Sequence, residues 1–142
     1  NAMNIILFIH QDSLKKGDFL KNVIDHKFPG TNLTTLQTFN AVKARLKNGS
    51  GFTEKEIFIL LADSRNRLNK LISLIDLLEG KRIILILPDE AKATLSSASQ
   101  FFPRFFTPVS KTYDDLCSVL NKMINQEKIN INNGGIKDGS IG

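Results

Sequence analysis

The sequence predicts a three-layer α/β fold, a parallel five-stranded sheet doubly wound in the order 2-1-3-4-5 with helices on both faces. Three observations lead there. Ile5-Ile6-Leu7-Phe8-Ile9, Ile57-Phe58-Ile59-Leu60-Leu61-Ala62 and Ile83-Ile84-Leu85-Ile86-Leu87 are continuously apolar runs rich in β-branched residues, the pattern of strands covered on both faces. Amphipathic helical stretches separate them, so the chain reads β-α five times over with short connections. Finally, two weaker strand candidates, Asn32 to Gln37 and Arg104 to Val109, belong at the edges. With right-handed crossovers, this leaves the three apolar runs central in the 2-1-3-4-5 order.

The helices follow from their caps and periods. Asp12 or Ser13 can cap a first helix with Phe19, Leu20, Val23 and Ile24 inward, ending near Pro29-Gly30. Thr38 can cap a second, with Phe39, Val42 and Leu46 on one face and Asn48-Gly49-Ser50-Gly51 as its stop. A third, capped by Asp63 or Ser64, carries Leu68, Leu71, Ile72, Ile75 and Leu78 up to Gly80. Pro88-Asp89-Glu90 opens a weaker helix through Leu95, Ala98 and Phe102, ended by Pro103. Thr112 and Asp115 form a capping box of the Asp type. Behind it, Leu116, Val119, Leu120, Met123 and Ile124 make an amphipathic face.

Composition narrows the class. A chain of 142 residues, 42% hydrophobic and 23% charged, is one globular domain with or without a tail. No apolar run approaches the length of a membrane helix. Asn1-Ala2-Met3 reads as an expression-tag remnant (1–3), residues 4–126 as the domain, and 127–142 as a polar tail too poor in apolar residues to fold alone. Ile129 and Ile131 alternate with Asn in that tail, which would suit an extended segment docked on the body or on a neighbour. The lone Cys117 excludes a disulfide framework and a Cys-rich zinc site. A cytoplasmic protein is expected. The net charge of +5 comes from basic residues spread through the chain, so solvated helix faces are expected rather than nucleic-acid binding.

Ligands of an open parallel sheet sit beyond the carboxyl ends of its strands, where the strand order reverses. That point receives His10, Gln11 and Asp12 from strand one and Asp63, Ser64 and Arg65 from strand three. Leu87-Pro88 arrive from strand four and Thr107 from strand five. Arg65 is the nearby cation of this set. An Asp ahead of a helix is accounted for as an N-cap, His10 as a hydrogen-bonded rim residue, and Cys117 as a small buried apolar side chain. Phe101-Phe102-Pro103-Arg104-Phe105-Phe106 is accounted for as helix–sheet packing. No Gly-rich phosphate loop, HExxH or G-x-S-x-G motif occurs.

Thr107-Pro108-Val109 followed by Tyr113-Asp114-Asp115-Leu116 resembles the Lys-Pro-Phe and acidic final-helix start of receiver domains in two-component response regulators, which have a flavodoxin-like fold. Met3 to Asp12 is similar to their first strand running into the acidic pocket, and Glu56 to Asp63 to the strand that ends in the phosphorylated Asp. The resemblance implies a pocket whose parts are displaced in this chain. His10 and Gln11 stand where receivers hold Mg²⁺ with an acidic pair, and Asp12 is one step late. The phosphoacceptor position falls on Ala62, or on Asp63 after a one-residue shift that would flip the side chain to the other face. Leu87 replaces a small hydroxyl residue and Thr107 the Lys.

The expected protein is therefore a receiver-like signalling module acting by protein–protein contact without Asp phosphorylation. It is expected not to be an enzyme, with no catalytic residue, metal or cofactor, and with a degenerate pocket of His10, Gln11, Asp12, Asp63, Leu87 and Thr107. Receivers commonly pair through their fourth helix, fifth strand and last helix. That face would carry Arg104, Lys111, Tyr113, Asp114 and Lys122 here, with Lys111 and Asp114 meeting across a twofold axis in a homodimer. The alternative is a phosphotransferase. Ile9-His10 followed by Leu14-Lys15-Lys16-Gly17 resembles the mannose-type sugar phosphotransferase IIA domain, in which a His at this place carries the phosphoryl group, although Gln11 stands where that family has Gly.

Overall fold

The computed structural model describes residues 3–48, 56–101, 105–108 and 113–125, with the backbone alone at 48 and at 105–108. The expectations for Asn1-Ala2, Gly49-Ser50-Gly51, Phe102-Pro103, Arg104, Lys111, the Thr112 cap and the tail lie outside the described residues. Four strands, β1 (Asn4–Phe8), β2 (Asn32–Leu36), β3 (Glu56–Leu61) and β4 (Arg82–Leu87), form a parallel sheet in the order β2-β1-β3-β4. The backbone of Phe105–Pro108 runs parallel beside β4, from Ile84↔Phe105 to Leu87↔Pro108.

Alternation along the strands sorts the core into two layers. Ile5, Leu7 and Ile9, Ile57, Ile59 and Leu61, and Ile84 and Ile86 face α1 (Leu14–Lys27) and α6 (residues 114–125). Ile6 and Phe8, Phe58 and Leu60, and Ile83, Leu85 and Leu87 face α2 (Phe39–Asn48), α3 (Arg65–Ile72), α4 (Ile75–Leu78) and α5 (Lys92–Ala98). From Ile5, Ile57 and Ile83 onward β1, β3 and β4 are apolar without a break because neither face meets water there, whereas β2, with Asn32, Thr34 and Thr35, is only partly buried at the edge. Each fully buried Leu or Ile is worth roughly 1.5–3 kcal/mol of transfer energy.

Several local features follow the sequence. Thr38 Oγ1 accepts the Ala41 N–H at 3.0 Å, and Ser64 Oγ accepts the Arg67 N–H at 3.1 Å, both N-cap bonds. Gly80 takes φ +79° just after α4, a left-handed conformation that favours glycine. Gly17 is buried where α1 crosses Ile9, and a Cβ there would overlap the Ile9 side chain.

Other features correct it. Phe19 is 59% exposed: the inward stripe of α1 is Gly17, Leu20 and Ile24, and Phe19 lies about 100° round the helix from Leu20. Its ring leans on Tyr113, centroids 5.7 Å apart. Leu95 is likewise exposed, because Thr94 and Ala98 take the inward positions of α5. The third helix is broken into α3 and α4. The Ser73 hydroxyl donates back to Lys70 O and Leu74 N–H bonds Leu71 O at 2.9 Å, so the last turn of α3 tightens and the chain restarts at Ile75. Asp12 is not a helix cap, and Ser13 caps α1 without a side-chain bond, because a 3₁₀ turn, Gln11–Ser13, intervenes.

Candidate functional site

At the carboxyl ends of β1 and β3, four side chains form a row. Asp63 follows β3 just before the Ser64 cap, whose backbone is extended, and Arg67 stands one helical turn further on, so their side chains meet as an i, i+4 pair. Arg67 Nε lies 2.5 Å from Asp63 Oδ1, and Arg67 Nη2 lies 3.6 Å from Asp12 Oδ2. Asp12 Oδ2 in turn is 3.5 Å from His10 Nδ1. The same Nδ1 accepts the Asp12 backbone N–H at 3.1 Å, which makes His10 the cap of the 3₁₀ turn. Asp63 and Arg67 are mostly enclosed, with side-chain exposures of 12% and 18%, whereas Asp12 reaches out at 69%. The imidazole is flanked by the rings of Phe8 and Phe39, centroids 6.3 and 5.6 Å away.

The structure thus brings together three of the residues read from the sequence, His10, Asp12 and Asp63. Gln11 is exposed, its N–H bonded to Gln37 O. Leu87 is fully buried in the layer that faces α2, α3 and α5, so it belongs to the core and lines no site. Thr107 is described by its backbone only, opposite Ile86. Ala62 is also fully buried in that second layer, which leaves Asp63 as the carboxylate at the strand end.

Arg65 is not the cation of the row. It reaches Asp89 instead, Nε to Oδ2 3.3 Å, on the exposed surface. Arg67 was not singled out by sequence, although its spacing of four from Asp63 is the signal that finds it. Asp89 also accepts the Ala91 N–H at 2.9 Å. The approach of the Thr94 hydroxyl and then that N–H hold the Asp89 carboxyl below the usual carboxylate value; burial opposes them, and Arg65 adds a lesser lowering.

Tyr113, expected on an interface, is buried in the α1–α6 layer, and burial pushes its phenol up. An aromatic residue at the head of α6 packs inward because Phe19 and the sheet lie beside it. Of that proposed face, Asp114 and Lys122 are exposed. Cys117 is buried, and desolvation pushes its thiol up. A cavity of about 530 Å³ beside Gly80, lined in part by Leu78, Lys81 and Phe101, opens at the amino end of β4, the edge of the parallel sheet opposite the row.

Mg²⁺ asks for several oxygen ligands in near-octahedral array. The two carboxylates here have a guanidinium between them, so the residues do not fit that ion. Among the described residues no three His, Cys, Asp or Glu side chains converge as metal ligands, and no helix is long and apolar enough to cross a membrane. No family model, curated protein or solved structure matches the chain.

Proposed function

We propose that this protein is a receiver-like signalling module of the five-stranded, flavodoxin-like 2-1-3-4-5 type, acting through protein–protein contact without Asp phosphorylation. The observation that carries the reading is Arg67, which sits between Asp12 and Asp63, the two carboxylates that a receiver would turn toward a metal. A tethered guanidinium neutralises Asp63 where transfer to that carboxylate would need a divalent cation and a free oxygen. The parallel order β2-β1-β3-β4 with helices on both faces supports the fold part of the proposal. The exposed Asp114 and Lys122 of α6 offer one surface for a protein partner or a second copy. The test is a titration with millimolar Mg²⁺ followed by amide NMR. Unchanged resonances at residues 10–12 and 62–67 support the reading, and saturable shifts there overturn it.

A second reading is favoured by one observation. His10 Nδ1 is engaged by the Asp12 N–H, while Nε2 makes no hydrogen bond among the described residues, an arrangement suited to a phosphoryl-accepting imidazole. Incubation with the phosphorylated carrier protein of a sugar phosphotransferase system separates the two. An acid-labile, base-stable phosphate at His10 establishes the second reading, and its absence leaves the first.

A further inference from the structure

We propose that His10 is a proton-operated latch on the turn after β1, and that taking a proton makes it exchange the Asp12 amide for the Asp12 carboxylate. The proposal rests on the geometry of the row and not on the receiver-like reading.

Two groups of Asp12 compete for one nitrogen. The N–H of Asp12 lies 3.1 Å from His10 Nδ1 and uses its lone pair, so in this state the ring proton is on Nε2. Asp12 Oδ2 lies 3.5 Å from the same Nδ1, an acceptor waiting beside an acceptor. When Nδ1 takes a proton its lone pair is gone. It can no longer receive the Asp12 N–H, and as a donor its nearest partner is Oδ2. One N–H···Nδ1 bond is lost and one Nδ1–H···Oδ2 bond is formed.

The exchange reaches the rest of the row because Asp12 Oδ2 is also the oxygen 3.6 Å from Arg67 Nη2. Drawing the carboxylate onto the imidazolium takes it from Arg67, which keeps Asp63 through Nε. The charges facing the ring come from three sides. Asp12 in the turn is the carboxylate beside the ring. Arg67 of α3 lies beyond it, 3.6 Å from Asp12 Oδ2 and paired with Asp63. Lys70 of α3 stands 5.6 Å over the Phe39 ring that touches His10. Phe8 and Phe39 are uncharged and hold the ring in place. The Ser13 N–H to His10 O bond, 2.8 Å, is main chain and keeps the turn closed in both states, so the latch re-aims side chains without unfolding the turn.

The experiment is NMR on the uniformly ¹⁵N-labelled protein across the range in which imidazoles titrate, roughly pH 5 to 8. At the alkaline end the ring nitrogens of His10 should show the Nε2–H tautomer. On acidification the Asp12 amide and the Arg67 Nε–H should shift with the same midpoint as the His10 ring. The protection of the Asp12 amide against exchange should fall roughly five-fold, the factor a typical net hydrogen bond is worth. In His10→Asn, whose side-chain oxygen can accept the same N–H, those shifts should vanish. In His26→Gln, which alters the exposed histidine of α1, they should persist. An Asp12 amide and Arg67 Nε–H that ignore the His10 titration overturn the proposal, as do unchanged shifts in His10→Asn. These readouts are independent of phosphate or Mg²⁺, so the latch and the receiver-like reading can fail separately.

Discussion

Arg67 Nε lies 2.5 Å from Asp63 Oδ1, and the two side chains are 18% and 12% exposed, so each is the other's main compensation for lost solvent. Truncating one partner of an enclosed pair strands the other. Arg67→Ala should therefore lower stability by about 1–3 kcal/mol, the cost of an uncompensated partly buried polar group. Asp63→Asn should cost less, since the amide oxygen still accepts from Nε. Urea midpoints at constant slope check both, and an Arg67→Ala midpoint equal to that of the parent chain contradicts the pairing.

Gly17→Ala sets two effects against each other. Alanine in a helix interior gains about 1 kcal/mol over glycine. Here the new Cβ would enter the space of Ile9, whose side chain is 2% exposed and cannot swing away. Overpacking of that kind costs about 1–3 kcal/mol, so the variant should melt below the parent despite its better helix former. A higher melting temperature would show that α1 does not lie this close to β1.

The central strands were legible because burial on both faces leaves no polar residue to interrupt Ile5–Ile9, Ile57–Ala62 or Ile83–Leu87, and a parallel sheet follows from that. What sequence missed has a common cause, competition between neighbours with similar credentials. Phe19 and Leu20 are adjacent and both apolar, and only the contact of Gly17 with Ile9 decides which faces inward. The apolar period continues straight through Ser73 and Leu74, where a side-chain hydrogen bond breaks the helix. At the site, Arg65 and Arg67 both follow the Ser64 cap, and spacing from Asp63 selects the second. His10 was placed at the strand end, but its role as cap was hidden because Ser, Thr, Asp and Asn ordinarily do that work.

Cys117 should be slow to react. Burial is the main cause that pushes its thiol up, and Asp114 adds to it while Lys27 opposes, so little thiolate is present at neutral pH. Alkylation with iodoacetamide in the folded protein should run at least about tenfold slower than in urea, and should quicken as pH rises. Equal rates in both states contradict the burial of Cys117.

Asp89 should leave a mark at acid pH. Its carboxyl is held below the ordinary value of 3.8 in the folded chain, so its contribution is complete above that value and is lost as pH falls through the lower, folded one. The effect is small, because the group is at the surface and Arg65 is exposed. Urea midpoints followed from neutral pH down to about pH 2 should fall less steeply in Asp89→Asn than in the parent. A steeper fall in the variant reverses the sign and contradicts the assignment.

The central claim is that Arg67 has closed the carboxylate site to phosphoryl transfer. Incubation of the full chain with acetyl phosphate and Mg²⁺, followed by intact mass, tests it most directly. The account predicts an unchanged mass, because Asp63 is paired with Arg67 and, among the described residues, no three His, Cys, Asp or Glu side chains converge to hold the ion. A Mg²⁺-dependent phosphate adduct that disappears in Asp63→Asn would contradict it.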